Sequence, residues 1–488
     1  MEILSRYSAT KSQIFGEWCR RCVSAAMIAG SVAWPVHAKD VNLLIDSGAT
    51  ARAGHDTLQV IRVPQAHADA VLDHLKSDPN IAHAERDLRV LPASFDDPLL
   101  SDQWALTDAL LNPAGANLLE AWLPEKAQTR VTVAIVDTGV LQSHADLVPM
   151  LPGYDFIADA DTANDGDGRD NDPSDPGDWV SAADISNGLV SENCRVQSST
   201  WHGTGVTGVL AAAQNNGIGI VGAASHIDLL PVRVMGKCGG YVSDLIAGIR
   251  WAAGLDVAGV PDNTNPAQVI NLSLGIVSAC TPLMQQAIDD ATRAGAVLIA
   301  AAGNHAADMD IAPHAPATCN NVITVGAARR DGSRASYSSF GSAVDISAPG
   351  GEPNDGVLTT EDNGTREPFS DSSYGYRYGT SIATPHVSAT VAMMIAVNPL
   401  LSVSDILGHL RSTSAAFSAD CTGCGAGLLN AADAVLAATG APPSGALDLG
   451  PNASKGSGST AMWFLLALLA LQRVAAQRRS RVFGNSSI

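Results

Sequence analysis

Short apolar runs alternate with amphipathic stretches through the middle of this chain. The runs at residues 131–136, 227–234, 269–274, 297–301 and 322–325 are rich in branched side chains and bounded by Gly or polar turns. Runs of this kind predict strands buried on both faces of a parallel sheet. Between them, residues 205–213, 242–253, 281–294 and 382–397 read as helices, the last stopping before Pro399. From about residue 94 to residue 440 the pattern therefore predicts an α/β fold, a three-layer α/β/α sandwich with a mainly parallel sheet. Ligands of such folds bind beyond the carboxyl ends of the strands.

Upstream the periodicity changes. Residues 58–63 alternate as a half-buried strand, residues 66–77 carry helical spacing at Ala70, Val71, Leu72 and Leu75, and residues 81–90 return to strand. A separate small α+β unit over residues 39–93 follows. Residues 1–38 hold a basic region ending at Arg20-Arg21, an apolar stretch from Cys22 to Val36 broken by Pro35, and the small-residue site Val36-His37-Ala38. That is the layout of a secretory signal cleaved after Ala38, the alternative being an ordinary buried helix.

Composition narrows the functional classes. The 488 residues exceed one typical domain, and 46 % hydrophobic content with 45 glycines suits closely packed strands and helices rather than a disordered chain. With 49 acidic against 29 basic residues, a formal net charge of −20, the surface repels phosphate backbones. Nucleic acid is excluded as an expected partner. Signal cleavage would remove Cys19 and Cys22 and leave Cys194, Cys238, Cys280, Cys319, Cys421 and Cys424, an even set in an exported protein. Six cysteines allow fifteen pairings, so spacing alone does not fix connectivity. Cys421-Thr-Gly-Cys424 has neither a second CxxC nor a redox context and reads as a small structural loop. The pairing carried forward for the rest is Cys194 with Cys238 and Cys280 with Cys319.

The candidate chemistry lies in Val133-Ala-Ile-Val-Asp137-Thr-Gly139, His202-Gly-Thr-Gly205 and Gly379-Thr-Ser381-Ile-Ala-Thr-Pro385. Asp137 follows a run that is apolar except for Thr132. A carboxylate buried there accepts a hydrogen bond from one imidazole nitrogen and fixes the tautomer of His202. The other nitrogen takes the proton of Ser381, a poor nucleophile until so activated, at the start of a helix whose amides favour negative charge. Ala300-Ala-Ala-Gly303-Asn304 adds a carboxamide after a buried strand, able to donate to a developing oxyanion together with the Ser381 amide. Singly, an Asp after a strand or one His among twelve is usually structural; three fitting contexts in one order are far more specific.

Those motifs, with Asn271-Leu-Ser-Leu-Gly275, resemble the subtilisin-like serine protease family (subtilases), in its secreted Gram-negative bacterial form, from about residue 104 to residue 440. The resemblance implies a serine endopeptidase acting through Asp137, His202 and Ser381 with Asn304 as oxyanion donor. It implies a pocket for the residue before the scissile bond walled by Ser273, Leu274 and Gly275 on one side and Ala301, Ala302 and Gly303 on the other. Gly239, Gly240 and Tyr241 would pair with extended substrate as an added strand. Small walls leave room for bulky apolar or neutral side chains, so broad specificity is expected. No organic cofactor is implied, the partners are protein or peptide substrates, and the protein is expected as a monomer. The unit at 39–93 resembles the inhibitory propeptide of secreted subtilases, making the protein a zymogen that carries its own inhibitor; the alternative is a retained N-terminal domain. Ile382 stands where most relatives have Met, removing an oxidisable sulfur beside the nucleophile.

Between Asp137 and His202 the chain carries Asp165, Asp167, Asp170, Asp172, Asp175 and Asp178 among glycines. Closely spaced carboxylates suit a hard cation with six to eight oxygen ligands, here a structural Ca²⁺, although the segment is not an EF-hand; the alternative is a solvated acidic loop. After residue 440 a Pro/Gly/Ser linker (441–460) leads into eleven apolar residues (461–471) and the Arg478-Arg479-Ser-Arg481 cluster. This resembles a removable C-terminal sorting signal of Gram-negative exported proteins, the alternative being a permanent anchor that keeps the protein at the cell surface or outer envelope. Either brings the segment into membrane contact. Two other functions fit less of the sequence: a narrow-specificity processing protease, and a catalytically silent calcium-dependent surface-binding protein.

Overall fold

The computed structural model describes residues 40–46, 58–64, 68–78, 81–87, 95–122, 129–224, 226–369 and 372–440, so the expected signal and C-terminal segments lie outside the described residues. The chain divides into two units, Met1–Pro92 and Ala93–Ile488. In the first, β1 (Asp40–Asp46), β2 (Leu58–Pro64) and β3 (His83–Arg86) form an antiparallel sheet of order β2-β1-β3 with helix α1 (Ala68–Ser77). Leu43, Val63, Ala68, Leu75 and Ala84 make its small core. The central strand β1 escaped the sequence reading, which found only its two neighbours and the helix.

The second unit is built on β4 (Val131–Asp137), β5 (Tyr154–Asp155), β6 (Ile227–Arg233), β7 (Val269–Leu272), β9 (Val297–Ala301), β11 (Val322–Ala328) and β12 (Ile346–Pro349). They form one sheet in the order β12-β11-β9-β7-β4-β6-β5, with every pairing parallel. Two small pairs flank it: β8 (Ile276–Val277) with β10 (His314–Ala315), and β13 (Val357–Glu361) with β14 (Ser373–Arg377). The longer helices are α2 (His202–Ala211), α3 (Val242–Ala252), α4 (Pro282–Arg293), α5 (Thr380–Val397), α6 (Val403–Thr413) and α7 (Ala431–Ala438).

The period of two along β4 divides the core. Val131, Val133 and Ile135 pack on one face with Val206 and Leu210 of α2, Val387 and Val391 of α5, Ile406 of α6 and Val435 of α7. Ala134 and Val136 pack on the other with Leu245 and Ile249 of α3 and Met284 and Ile288 of α4. The α/β/α sandwich expected from the hydrophobic pattern is the architecture found. Strand β4 is where the chain changes direction across the sheet, since β6 lies on one side of it and β7 on the other. A crevice beyond the carboxyl end of β4 is therefore the expected binding place.

Helix α5 is long and apolar enough to span a bilayer, yet 89 % of its apolar window is buried inside the molecule, and it is the central core helix. Disulfides join Cys194 to Cys238, Cys280 to Cys319 and Cys421 to Cys424, with Cα separations of 5.7, 5.3 and 5.8 Å that suit the bond. This is the pairing taken from the sequence.

Candidate active site

Asp137 is the last residue of β4 and fully buried, at the reversal of strand order. His202 opens α2, and its Nδ1 lies 2.7 Å from Asp137 Oδ1, the oxygen that also accepts from the Thr138 amide at 2.8 Å. What lets the two motifs approach is the absence of side chains. A Cβ on Gly203 would come within 2.1 Å of the Gly139 carbonyl oxygen. Instead the Gly203 amide donates to Thr138 Oγ1 at 3.0 Å, and that hydroxyl donates to Asp175 Oδ2 at 2.8 Å. Trp201, just before the histidine, holds left-handed backbone (φ 49°) that disfavours a bulky residue. Its buried indole donates to the Gly364 carbonyl at 2.7 Å and anchors that turn.

The His202 side chain is 26 % exposed, whereas that of Asp137 is fully buried. Burial pushes its pKa down, whereas the charge and hydrogen bond of Asp137 push it up by more, with Arg377 opposing. The net result lies above the ordinary imidazole value. Arg377 itself is fixed by Glu361 Oε1 at 2.8 Å and the Thr200 carbonyl at 2.6 Å.

Ser381 stands in the first turn of α5 and is 8 % exposed. Pro385 four residues on has no N–H, so the Ser381 carbonyl lacks its usual helical partner. Ser273 supplies one: its hydroxyl donates to Ser381 O at 2.8 Å and accepts from Asn271 Nδ2 at 3.0 Å, and Asn271 Oδ1 accepts from Ser388 Oγ at 2.8 Å. Ser273, read from sequence as pocket wall, thus has its side chain committed to holding the nucleophile's turn.

Asn304 follows β9. Its Oδ1 accepts from the Thr380 amide at 2.8 Å and the Thr380 hydroxyl at 2.9 Å, which leaves the Nδ2 end to point elsewhere. Where it points is given by Gly379 (φ 150°): the place a Cβ would take there is 2.9 Å from Ser381 Oγ and 3.4 Å from Asn304 Nδ2. Hydroxyl and amide donor therefore flank one small space kept free by the missing side chain. Sequence reasoning missed Thr138, Thr380 and Arg377, whose roles depend on contacts between distant segments, although two of them sit within the motifs.

Leu274 and Gly275 follow β7, while Ala301, Ala302 and Gly303 end and follow β9, so both expected walls rise from carboxyl ends of adjacent strands. Gly240 and Tyr241 are exposed beside Gly239, with Cys238 tethered to Cys194 just before them.

The six aspartates expected as metal ligands divide. Asp175 takes the Thr138 hydroxyl and the Gly177 amide, and burial pushes its carboxyl up to about 7. Asp178 accepts from the Thr200 amide and hydroxyl, and Asp165 is paired at 2.5 Å with the buried Arg233. Asp167, Asp170 and Asp172 line a cavity of about 700 Å³ with Asp165, Ser174 and Asp175. The carboxylates among its lining suit a hard cation by type. Among the described residues, though, no three His, Cys, Asp or Glu side chains converge as a metal cluster.

A family model described as the subtilase family matches residues 128–451. The chain is 43 % identical over 380 residues to an extracellular protease of Xanthomonas campestris pv. campestris, covering 77 % of this chain and 62 % of the relative. It is 40 % identical over 380 residues to an extracellular basic protease of Dichelobacter nodosus, covering 76 % and 61 %. The match thus spans about three fifths of the length of these relatives. A solved structure described as proteases from Pseudoalteromonas arctica PAMC 21717 superposes with a TM-score of 0.66 at 43 % identity, over 71 % of this chain and all of that one. The family match covers about two thirds of the chain, and with the identity to these relatives it shows that the chain belongs to the subtilase family.

Proposed function

We propose that this protein is an exported serine endopeptidase cleaving peptide bonds of proteins through an acyl-enzyme. Ser381 Oγ attacks the carbonyl carbon as its proton passes to His202 Nε2, and Asp137 steadies the imidazolium. The carbonyl oxygen becomes an oxyanion held by Asn304 Nδ2 and the Ser381 amide. Collapse expels the amine, which takes the proton from His202, and water repeats the sequence to free the acid. The observation that carries this reading is the convergence at the β4 switch point: Nδ1 of His202 on Asp137 at 2.7 Å, and Asn304 Nδ2 and Ser381 Oγ around one space beside Gly379.

Leu274, Gly275 and the 301–303 segment wall the pocket for the residue before the scissile bond, and residues 239–241 receive the extended chain. Neutral pocket segments favour broad cutting over dibasic processing. The 39–93 unit serves as inhibitor until cut away, and the extracellular naming of the relatives supports export. Because Asp167, Asp170 and Asp172 do not converge as they stand, a structural Ca²⁺ would have to draw them together, and in doing so would stiffen the loop before His202; added Ca²⁺ should then raise Tm, and an unchanged Tm removes this site.

The test is casein cleavage by the exported protein beside Ser381→Ala, with mass spectrometry of both. Loss of cleavage and retention of residues 39–93 in the variant support a self-maturing protease. Equal cleavage removes Ser381 as nucleophile, and an inert wild type that still binds calcium supports the binding-protein reading.

A further inference from the structure

Helix α2, which carries His202, is bonded to the β13–β14 hairpin as well as packed on it. Thr359 and Thr360 of β13 donate their hydroxyls to the carbonyls of Gly205 and Thr204 at 2.6 and 2.7 Å. Gly208 leaves the room this needs, since a Cβ there would collide with both hydroxyls.

Arg377, the last residue of β14, makes a third attachment. Its stem lies across Gly205, where a Cβ would stand 2.9 Å from Cδ and 3.0 Å from Nε. Its Nη2 donates to the Thr200 carbonyl at 2.6 Å and to Glu361 Oε1 at 2.8 Å, while Nε is buried without a hydrogen-bond partner. Asp178 holds Thr200 as well, accepting from its amide and hydroxyl. The main chain two residues before His202 is thus gripped by two side chains from elsewhere in the molecule.

From Arg377 the chain runs through Tyr378, Gly379 and Thr380 straight to Ser381. This short path is itself pinned, the Gly379 amide donating to the Gly350 carbonyl at 3.0 Å and the Thr380 amide to Asn304 Oδ1 at 2.8 Å. Arg377 is where that path meets the helix of the histidine.

Its charge matters along with its grip. Beyond burial, the charges that bear on His202 are Asp137 of β4 and Asp178 of the loop before α2, which favour the imidazolium, and Arg377 of β14, which disfavours it. Helix α5 brings no charged residue in its first turn, and Glu361 of β13, paired with Arg377, offsets part of the guanidinium charge.

Resting on the protease reading above, we propose that Arg377 is a positioning residue for the reaction. It joins the start of α2 to the strand that leads into Ser381, and its positive charge keeps His202 available as the base.

The experiment measures kcat, KM and the pH profile of kcat/KM on one peptide, per site titrated with phenylmethylsulfonyl fluoride, so that misfolded protein does not count. Arg377→Gln should lower kcat about 10- to 100-fold with KM nearly unchanged, the size that a small displacement of a catalytic group costs. Its acid limb should move to higher pH, because the charge that opposed the imidazolium is gone. Arg377→Lys keeps a charge and a nitrogen able to serve both partners of Nη2, so its limb should stay at the wild-type position and part of the lost kcat should return. Glu361→Gln keeps an acceptor for Nη2 but no longer offsets the guanidinium, so its limb should move the opposite way, to lower pH. An acid limb of Arg377→Gln at the wild-type position, or wild-type kcat per titrated site, overturns the proposal even where the variant unfolds at lower temperature, since that pattern belongs to a structural role alone. Should Arg377→Gln give no titratable protein, Glu361→Gln decides, and a limb that does not move to lower pH overturns the proposal. A peptide cut equally by wild type and Ser381→Ala would instead bring down the protease reading on which it rests.

Discussion

In the proposed mechanism the proton of Ser381 passes to His202, and the electrostatics of His202 set when that base is available. Because Asp137 holds the His202 pKa above the ordinary value, the base is protonated, and idle, up to a higher pH than a free imidazole would be. Activity should therefore fall as pH is lowered through a point above about 6.5, the ordinary imidazole value. In Asp137→Asn that limb should move to lower pH, with turnover down about 10⁴-fold, the size seen when such a carboxylate is lost from a serine protease. A pH profile of kcat/KM for both proteins checks the sign; an acid limb that does not move in the variant contradicts it. Asn304→Leu should lower kcat with little change in KM, by about 10²–10³-fold, the loss known from subtilisin itself. Equal turnover would leave the oxyanion without its side-chain donor. The candidates Asp137, His202, Asn304 and Ser381 could be singled out in the sequence because each stands in a distinctive context beside small neighbours. The contacts of Thr380 and Ser273 were not legible, since nothing local tells that one aligns a carboxamide and the other donates to the carbonyl that Pro385 leaves without its helical partner.

Two elements carry the site's precision. Helix α5 is buried on nearly every side and has no amphipathic face to orient it, so its first turn is fixed by polar contacts from Ser273, just after β7, and Asn304, in the loop after β9. Ser273→Ala leaves the Ser381 carbonyl without that donor. It should cost about 1–3 kcal/mol of stability and lower kcat more than it raises KM, as thermal unfolding and steady-state kinetics would register. Unchanged unfolding and kinetics would mean that the bond is dispensable. The second element is the 239–241 edge, tethered through Cys238 to Cys194 across 44 residues. Replacing both cysteines by Ser should loosen the edge and raise KM for long peptides more than for dipeptide-sized substrates, and a uniform effect would argue against strand addition. Five of the seven strands of the large sheet were found from their apolar runs, each within three residues at its ends. The β12 strand and the β13–β14 hairpin were missed, because four-residue Ile-Ser-Ala-Pro and polar Ser-Tyr-Gly-Tyr-Arg give no period to read.

At the scale of the molecule, the order of strands decides where chemistry can occur. Asp137 and His202, 65 residues apart, meet because β4 borders both directions of winding and α2 follows the loop that returns to it, while α5, which opens at Ser381, packs with α2 in the same core. The layered architecture was legible from alternating apolar runs. The sheet order was not, because hydrophobic pattern tells which segments are strands and not which strands are neighbours. Between the same motifs, the aspartate-rich loop proved partly architectural: Arg233 and Thr138 claim Asp165 and Asp175, and no sequence spacing reveals such long-range partners. The most direct measurement of the central claim is reaction of the mature protein with phenylmethylsulfonyl fluoride, followed by peptide mapping by mass spectrometry. One sulfonyl adduct on Ser381, formed in step with loss of activity and nearly absent from His202→Ala, is the expected result. Full inhibition with Ser381 unmodified, or equal labelling in His202→Ala, would contradict a serine nucleophile activated by that histidine.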